Sequence, residues 1–265
     1  MNRLSVSLVE YATDPAGLAQ TLRSLAAAAR YAEVDMTLLL VNNGTPGRLQ
    51  IALAMPELQA QSLRCIEGQG NVGFGAGHNC AIAQADADMH LLLNPDVTLA
   101  EDALDQGIRF LLVHPEVGLL VPAVFDGNGE PQYLCKRYPT VLDLLLRGFA
   151  PAWLQEYCRE RLDRYEMRDV IGDVVVLDPP IVSGCFMLFR TSVLKRLGGF
   201  DPRYFLYFED FDLSLRAGRI THIAQVSNVK IVHHGGHAAR KGWHHIRMFV
   251  RSGITFFNTH GWKLW

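Results

Sequence analysis

Leu4-Ser5-Val6-Ser7-Leu8-Val9-Glu10, then an alanine-rich run over residues 16–31, then Met36-Thr37-Leu38-Leu39-Leu40-Val41, reads as strand, helix and strand in succession. Short apolar strands separated by helices predict a mostly parallel sheet covered on both faces, an α/β fold. The alternation continues through a turn at residues 42–47, a short helix, a strand at 62–66, a glycine-rich loop, a small-residue helix at 74–85 and a strand at 89–93. Ligands of such sheets sit beyond the carboxyl ends of the strands. The residues to weigh are therefore Glu10-Tyr11, Asn42-Asn43, Gly70-Asn71 and Asn94-Pro95-Asp96.

The pattern changes after Val121. Asp126-Gly127-Asn128-Gly129-Glu130 signals a hairpin, residues 139–168 look helical and amphipathic, and a strand is expected over 181–189. Beyond these come the Gly198-Gly199-Phe200-Asp201 turn, a strand ending at Val232 and a basic, aromatic helix from about Gly242. No linker composition, repeat or low-complexity segment divides the chain.

The 265 residues suffice for a large core, and a net charge of −2 with 49% hydrophobic and 20% charged residues excludes a nucleic-acid-binding or disordered profile. Cys65, Cys80, Cys135, Cys158 and Cys185 are scattered and form no Cys-x-x-Cys pair, which argues for a reducing compartment. No run of about 18 apolar residues spans a membrane and no secretory signal is read at the N-terminus, so a cytoplasmic location is expected.

Tyr207-Phe208-Glu209-Asp210-Phe211-Asp212 places three carboxylates within four residues in an aromatic setting. Burying an unpaired carboxylate costs several kcal/mol or raises its pKa, so such a cluster needs partners or a task. Helix capping and an Asp212–Arg216 pair are the structural alternative. Gly68-Gln69-Gly70-Asn71-Val72-Gly73 has the spacing of a dinucleotide fingerprint, but it follows the third strand rather than the first and no Gly-Lys-Ser/Thr follows it. Its glycines still allow backbone N–H groups to approach phosphate or sugar oxygens. Asn94-Pro95-Asp96 closes an apolar strand and leaves Asp96 at the sheet edge as an oxygen ligand suited to Mg²⁺ or Mn²⁺. His233-His234-Gly235-Gly236-His237 lacks a Cys or His partner at zinc-finger spacing, and a single histidine from it opposite Asp96 is the more economical reading.

Taken in order, Val41-Asn42-Asn43-Gly44, the segment Gly70 to Asn79, Leu93-Asn94-Pro95-Asp96, Val182-Ser183-Gly184-Cys185-Phe186, Phe208 to Leu213 and His233-His234-Gly235-Gly236 resemble the family 2 glycosyltransferases, in their rhamnosyltransferase-like branch. The resemblance implies the GT-A fold: a nucleotide-sugar-binding half over about 1–121, an acceptor and catalytic half over about 122–240 with the helical insertion 139–168, and a C-terminal basic aromatic helix over about 241–265. By resemblance Glu10, Tyr11 and Asn42 border the base, while Asn71, Gly73 and Asn79 border the ribose and diphosphate. Asn94 and Asp96 stand at the metal motif, with His233 as the second metal ligand. Asp210 falls at the general-base position beside Glu209, and Gly184 and Cys185 fall on the acceptor side. Four positions depart from the common pattern: Asn42 replaces an Asp, Glu10-Tyr11-Ala12 replaces Thr-Tyr-Asn, Asn94 replaces one metal-motif carboxylate, and Ala238 replaces Ser or Thr.

The expectation that follows is a Mg²⁺- or Mn²⁺-assisted, inverting transfer of a sugar, rhamnose from dTDP-rhamnose, to a glycan or lipid-linked acceptor of a bacterial surface polysaccharide or lipopolysaccharide. It would take place at the inner face of the cytoplasmic membrane. A hexose or galactofuranose donor, and a non-catalytic sugar-nucleotide-binding protein, are the alternatives. The bases and aromatics beyond Lys241 suggest peripheral membrane association, set against a helix that merely packs its apolar stripe on the domain.

Overall fold

The computed structural model describes residues 3–265 apart from 46, 48, 50, 51, 53, 60, 173 and 236–241. Gly236, His237, Ala238 and Lys241 therefore lie outside the described residues. The first half runs β1 (Arg3–Glu10), α1 (Pro15–Tyr31), β2 (Asp35–Asn42), a 3₁₀ turn (Pro56–Leu58), β3 (Ser62–Ile66), α2 (Phe74–Ile82), β4 (Met89–Leu93), β5 (Val97–Leu99), α3 (Ala103–Val113) and β6 (Val117–Phe125). The second half adds β7 (Pro131–Gln132), α4 (Val141–Phe149), α5 (Ala152–Tyr157), α6 (Arg159–Tyr165), β8 (Val176–Leu177), β9 (Phe186–Arg190), α7 (Thr191–Leu197), α8 (Glu209–Ala217), β10 (His222–His233) and α9 (Trp243–His260).

One sheet collects the strands in the order β3-β2-β1-β4-β9-β6-β10-β5, with β7 paired to β6 and β8 to β10. β1 to β4 are mutually parallel; β9 is antiparallel to β4 and β6 on either side, and β10 runs parallel to β6. This reversal at β9 puts the carboxyl ends of β1, β2, β4 and β10 and the start of β9 at one edge, as the pairs Glu10↔Asn42, Leu93↔Phe186 and His233↔Val97 record. The alternation expected from the sequence is observed. Its central strands are buried on both faces because helices cover both.

Side-chain caps start two of the helices. Asp14 caps α1 by accepting the Gly17 N–H at 3.1 Å, with Pro15 in the first turn. Thr140 and Asp143 form a capping box that starts α4.

Three expected boundaries change. The 181–189 strand begins only at Phe186: the Val182 N–H is taken by Ser214 Oγ and the Gly184 N–H by Asp210, so this backbone bonds to α8 instead of to a strand. The 139–168 insertion is three helices, interrupted at Pro151 and Cys158. The C-terminal helix stops at His260, where Gly261 takes φ 106°, and the Lys263 and Leu264 carbonyls then accept the Val141 and Leu142 N–H groups at the start of α4.

Two apolar layers flank the sheet. Leu22, Leu25, Leu104 and Leu111 of α1 and α3 pack on one face, and Leu194 and Leu213 of α7 and α8 on the other. A separate aromatic cluster, Tyr204, Phe208, Phe256 and Phe257, fastens α9 beneath α8.

Candidate functional site

At the strand edge, Asp96 and His233 meet. His233 Nε2 lies 3.4 Å from Asp96 Oδ1, and the His234 N–H donates to the Asp96 carbonyl at 2.9 Å, tying the end of β10 to the turn after β4. Thr21 Oγ1 of α1 donates to the Pro95 carbonyl at 2.8 Å and fixes the same turn from the other side. A Cβ at Gly235 would overlap Asp96 Oδ2 and crowd His233 Nε2, so only glycine lets this chain pass the carboxylate. Asn94 Oδ1 is buried with no hydrogen-bond partner among the described residues.

These donors fit a hard divalent cation. Two adjacent ligands of a six-coordinate Mg²⁺-sized ion lie about 3 Å apart, close to the Asp96–His233 spacing, and carboxylate and carbonyl oxygens are its ordinary ligands. Asp96 and His233 would hold it, with Asn94 Oδ1 as the third donor.

Glu10 ends β1 and is 1% exposed, and its Oε1 accepts the Thr13 N–H at 3.0 Å. Tyr11 beside it is exposed. Asn42 is spent within its own loop: its Oδ1 accepts the Gly44 N–H at 2.8 Å, and its Nδ2 donates to the Thr45 carbonyl at 2.9 Å and to Glu67 Oε1 at 2.7 Å. The neighbour Asn43, 3% exposed, donates to the Gly73 carbonyl at 2.8 Å and so joins the end of β2 to the glycine-rich loop. Asn71 is exposed and accepts the Gly73 N–H at 3.2 Å.

Gly73 sits at φ 92° with its Cα against the Phe205 backbone, and the Phe74 N–H donates to the Phe205 carbonyl at 3.0 Å. Asn79 faces the other way. Its amide both donates to the Phe200 carbonyl and accepts the Phe200 N–H, each at 2.8 Å, so it clamps α2 to the Gly199–Phe200 turn rather than opening toward the strand edge.

The acidic cluster lies at the first turn of α8. Asp210 Oδ2 accepts the Gly184 N–H at 2.9 Å and Oδ1 accepts the Phe211 N–H at 2.9 Å. Burial raises its pKa, and these two N–H donors work against the rise by favouring the carboxylate. Glu209 is 5% exposed, and its Oε2 has no hydrogen-bond partner among the described residues. Burial first, and the Asp210 charge second, push it well above the usual carboxylate range. Both carboxyls are thus raised by burial, Glu209 further because the Asp210 charge adds to it, while Asp210 alone has two backbone N–H donors favouring its ionised form. Asp212 belongs to the helix, through Arg216 Nε at 2.7 Å and His260 Nε2 at 2.8 Å.

The backbone entering this turn is strained. Tyr207 and Phe208 take φ of 70° and 65°, a region that bulky residues avoid, and such outliers persist only where packing over-determines them. Here Phe208 is packed between Phe249 and Phe256 at ring-centroid distances of 5.0 and 5.3 Å, Gly253 passes beneath its ring, and Ser252 Oγ holds the Leu206 carbonyl at 2.8 Å.

Cys185 joins the two acidic poles. Its thiol is pushed up to about 12 chiefly by burial, and the charges of both Asp96 and Asp210 add to the rise. Its backbone carbonyl accepts the Asn94 N–H at 2.9 Å while its neighbour Gly184 binds Asp210. Behind this loop a cavity of about 170 Å³ is lined by Ser183, Cys185, Tyr133, Gln225 and Lys230 among others, and Gln225 Oε1, buried at its wall, has no partner among the described residues.

The sequence marks Asn43 and Gly235 without showing what they do and does not mark Ser214; all three act through contacts made only in the fold. His90 of β4 is buried in a chain with Ser5, Ser7 and His78 whose links span 2.7–2.9 Å. The available signal was alternation: Ser5 and Ser7 fall on one face of an otherwise apolar strand, where buried hydroxyls require partners.

The fold and motifs agree with comparisons against known proteins. A family model described as glycosyltransferase-like family 2 matches residues 5–245. The chain is 29% identical over 256 residues to the N-acetylglucosaminyl-diphospho-decaprenol L-rhamnosyltransferase of Mycobacterium tuberculosis, covering 89% of this chain and 77% of that protein. It is 28% identical over 178 residues to the rhamnosyltransferase WbbL of Escherichia coli K12, covering 62% of this chain and 63% of WbbL. The mannosyltransferase PcManGT of Pyrobaculum calidifontis, solved with GDP-Man and Mn²⁺, superposes with a TM-score of 0.61 at 18% identity over 97% of this chain and 64% of that one, which establishes the GT-A fold. With the family model spanning both the Asp96 edge and the Asp210 turn, the chain belongs to glycosyltransferase family 2.

Proposed function

We propose that the chain is an inverting glycosyltransferase that moves rhamnose from dTDP-rhamnose to a hydroxyl of a lipid-linked glycan, with Asp210 as general base. The observation that carries this reading is the asymmetry of the pair: Asp210 accepts the Gly184 and Phe211 N–H groups, each at 2.9 Å, while buried Glu209 Oε2 has no hydrogen-bond partner among the described residues. Asp210 accepts the proton of the acceptor hydroxyl as that oxygen attacks the anomeric carbon from the face opposite the leaving diphosphate. One displacement then inverts the anomeric configuration. General-base help of this kind contributes about 10² to 10⁴-fold.

Glu209 orients the acceptor from its buried position, and the Gly184–Cys185 loop with the cavity behind it forms the acceptor side. Glu10, Tyr11 and the Asn42–Asn43 turn border the nucleotide, and the Gly73 loop borders its diphosphate. A divalent ion at Asp96 and His233 would supply charge neutralisation to the leaving diphosphate. Rhamnose is supported by the two rhamnosyltransferase relatives, and a lipid-linked acceptor by the decaprenol-linked substrate in the name of the mycobacterial one.

A thermal-shift panel of nucleoside diphosphate sugars, with and without Mn²⁺, tests the donor. dTDP-rhamnose is expected to give the largest stabilisation, and only with the ion; a larger shift with a hexose or galactofuranose donor overturns the rhamnose assignment. NMR of the product formed on a lipid-diphosphate sugar reads the stereochemistry. Retention of configuration, or donor binding without turnover, overturns the mechanism.

A further inference from the structure

The helix α9 has two apolar faces, and the fold uses only one. Phe249, Ser252, Gly253, Phe256 and Phe257 turn inward against the Leu206–Phe208 turn and α4. On the opposite side Trp243, Ile246, Val250 and Ile254 line an open apolar channel edged by Arg247 and Arg251. Trp243 is 84% exposed, and Val250 and Ile254 are 48% and 47% exposed. A helix buried on one side alone would carry polar residues there.

The apolar surface continues past the helix. Trp262 stacks on Phe257 at 5.0 Å and is bonded through Nε1 to Asn258 on the outer side of α9. Leu264 and Trp265, 52% and 82% exposed, follow it to the start of α4, whose Leu142 N–H donates to the Leu264 carbonyl. There Leu145, Phe149 and, on α5, Trp153 are also exposed. Soluble monomers rarely expose contiguous apolar patches larger than a few hundred Å².

Charge identifies the occupant. Residues 242–265 contain Arg247, Arg251 and Lys263 and no Asp or Glu. Tryptophans at both ends of an amphipathic, acid-free segment with arginines along its edge are the composition of a helix lying in a bilayer interface. Its 18 residues extend about 27 Å, and among the described residues no helix is long and apolar enough to cross a membrane.

We infer that the outer face of α9, with the Trp262–Trp265 tail, docks on an anionic bilayer surface. The docked helix is the one whose inner face holds the Asp210 turn, so the catalytic turn stands one helix diameter, about 10 Å, from the lipid headgroups. An acceptor anchored in that bilayer would then reach Asp210 without leaving the membrane. The surface itself is argued independently of the sugar-transfer reading.

Vesicle flotation with the full chain, in the absence of donor and acceptor, tests it. Phosphatidylglycerol-containing vesicles are expected to carry the protein and pure phosphatidylcholine vesicles to carry at least tenfold less, with the difference shrinking as salt rises. Val250→Asp with Ile254→Asp should lower partitioning at least tenfold while leaving the melting temperature and the far-UV spectrum unchanged. Arg247→Gln with Arg251→Gln should remove the salt-dependent part only. No partitioning onto anionic vesicles at low salt, or partitioning untouched by the double Asp variant, overturns the inference. So does sedimentation equilibrium showing a dimer that the same variant dissociates.

Discussion

The two acidic poles of the site are built by opposite means. The Asp96 pole rests on strand ends, where a parallel sheet delivers side chains to one edge and a small residue, Gly235, clears the space around the carboxylate. The Asp210 pole rests on a strained turn. Tyr207 and Phe208 hold left-handed backbone only because an aromatic cluster supplied by α9, some forty residues later in the chain, packs around them. The first pole follows from fold topology and the second from tertiary packing, so each should fail in its own way when perturbed.

The sharpest break is at Asp210. Asp210→Asn keeps the size and an oxygen for one of the Gly184 and Phe211 N–H groups, turns its amide nitrogen to the other, and removes the base. Transfer should fall about 10² to 10⁴-fold. Donor-induced stabilisation, read by thermal shift, should persist because the strand-edge pole is untouched. Near-normal turnover in steady-state assays sinks the assignment.

Gly235→Ala attacks the other pole. The added Cβ overlaps Asp96 Oδ2, so the carboxylate must turn away from His233. Disturbing a supporting contact of a metal site typically costs about 10 to 100-fold in metal affinity. Titrating Mn²⁺ should show that loss as a raised ion requirement, with the Asp210-dependent acid limb of the pH profile unmoved. An unchanged Mn²⁺ titration would remove Gly235 and Asp96 from the metal site.

The buried histidine chain and the Glu209–Asp210 pair respond to pH with opposite sign. Burial lowers His78 to about 3, with the His90 charge adding to it, and burial lowers His90 to about 3, with the Lys195 charge adding to it. Unfolded, these residues bind protons below about pH 6.5, so stability contributed by their neutral forms is lost as pH falls from there toward 3. Glu209 and Asp210 are raised instead. Folded, they keep protons that the unfolded chain releases at about pH 4, so their contribution declines as pH rises through that range. Melting temperature followed from pH 7 to pH 4 should drop, and His90→Gln should flatten the drop; an unchanged slope would mean the histidine chain is not the cause.

Much of the first pole was legible in the sequence. Glu10 and Asn42 end β1 and β2, and the sequence placed Asn94-Pro95-Asp96 directly after β4 and His233 at the end of β10, where the fold has them. The apolar repeats fixed the strands because period and burial agree locally. Other roles were not legible because they depend on contacts remote in the chain. Asn42 and Asn79, alike as motif asparagines, have their amides engaged in a loop and in the Gly199–Phe200 turn, and only tertiary structure distinguishes them from exposed Asn71. The loop at 181–185 looked like a strand because its residues are apolar. Its N–H groups went to Ser214 and Asp210, a pairing that no pattern of period two encodes. The outer face of α9 was visible as composition, yet which face would be free depended on where Phe208 packed.

Glu209→Gln is the gentlest change and separates the two carboxylates that the sequence leaves adjacent. Burial and the Asp210 charge raise Glu209 well above the usual carboxylate range, and glutamine mimics its protonated form at the same volume. Asp210 then ionises in nearly the same field. Transfer should fall less than about tenfold, against the 10² to 10⁴-fold expected from losing a general base. The acid limb of kcat/KM, set by Asp210 and displaced above the usual carboxylate range by burial, should stay where it was, with activity still rising as pH increases through it. Stability at neutral pH should rise, because the variant no longer buries an ionisable carboxyl beside a charge. A collapse of transfer in Glu209→Gln together with tolerance of Asp210→Asn would exchange the two roles, with Asp210 then serving only to fasten α8 to the Gly184 loop.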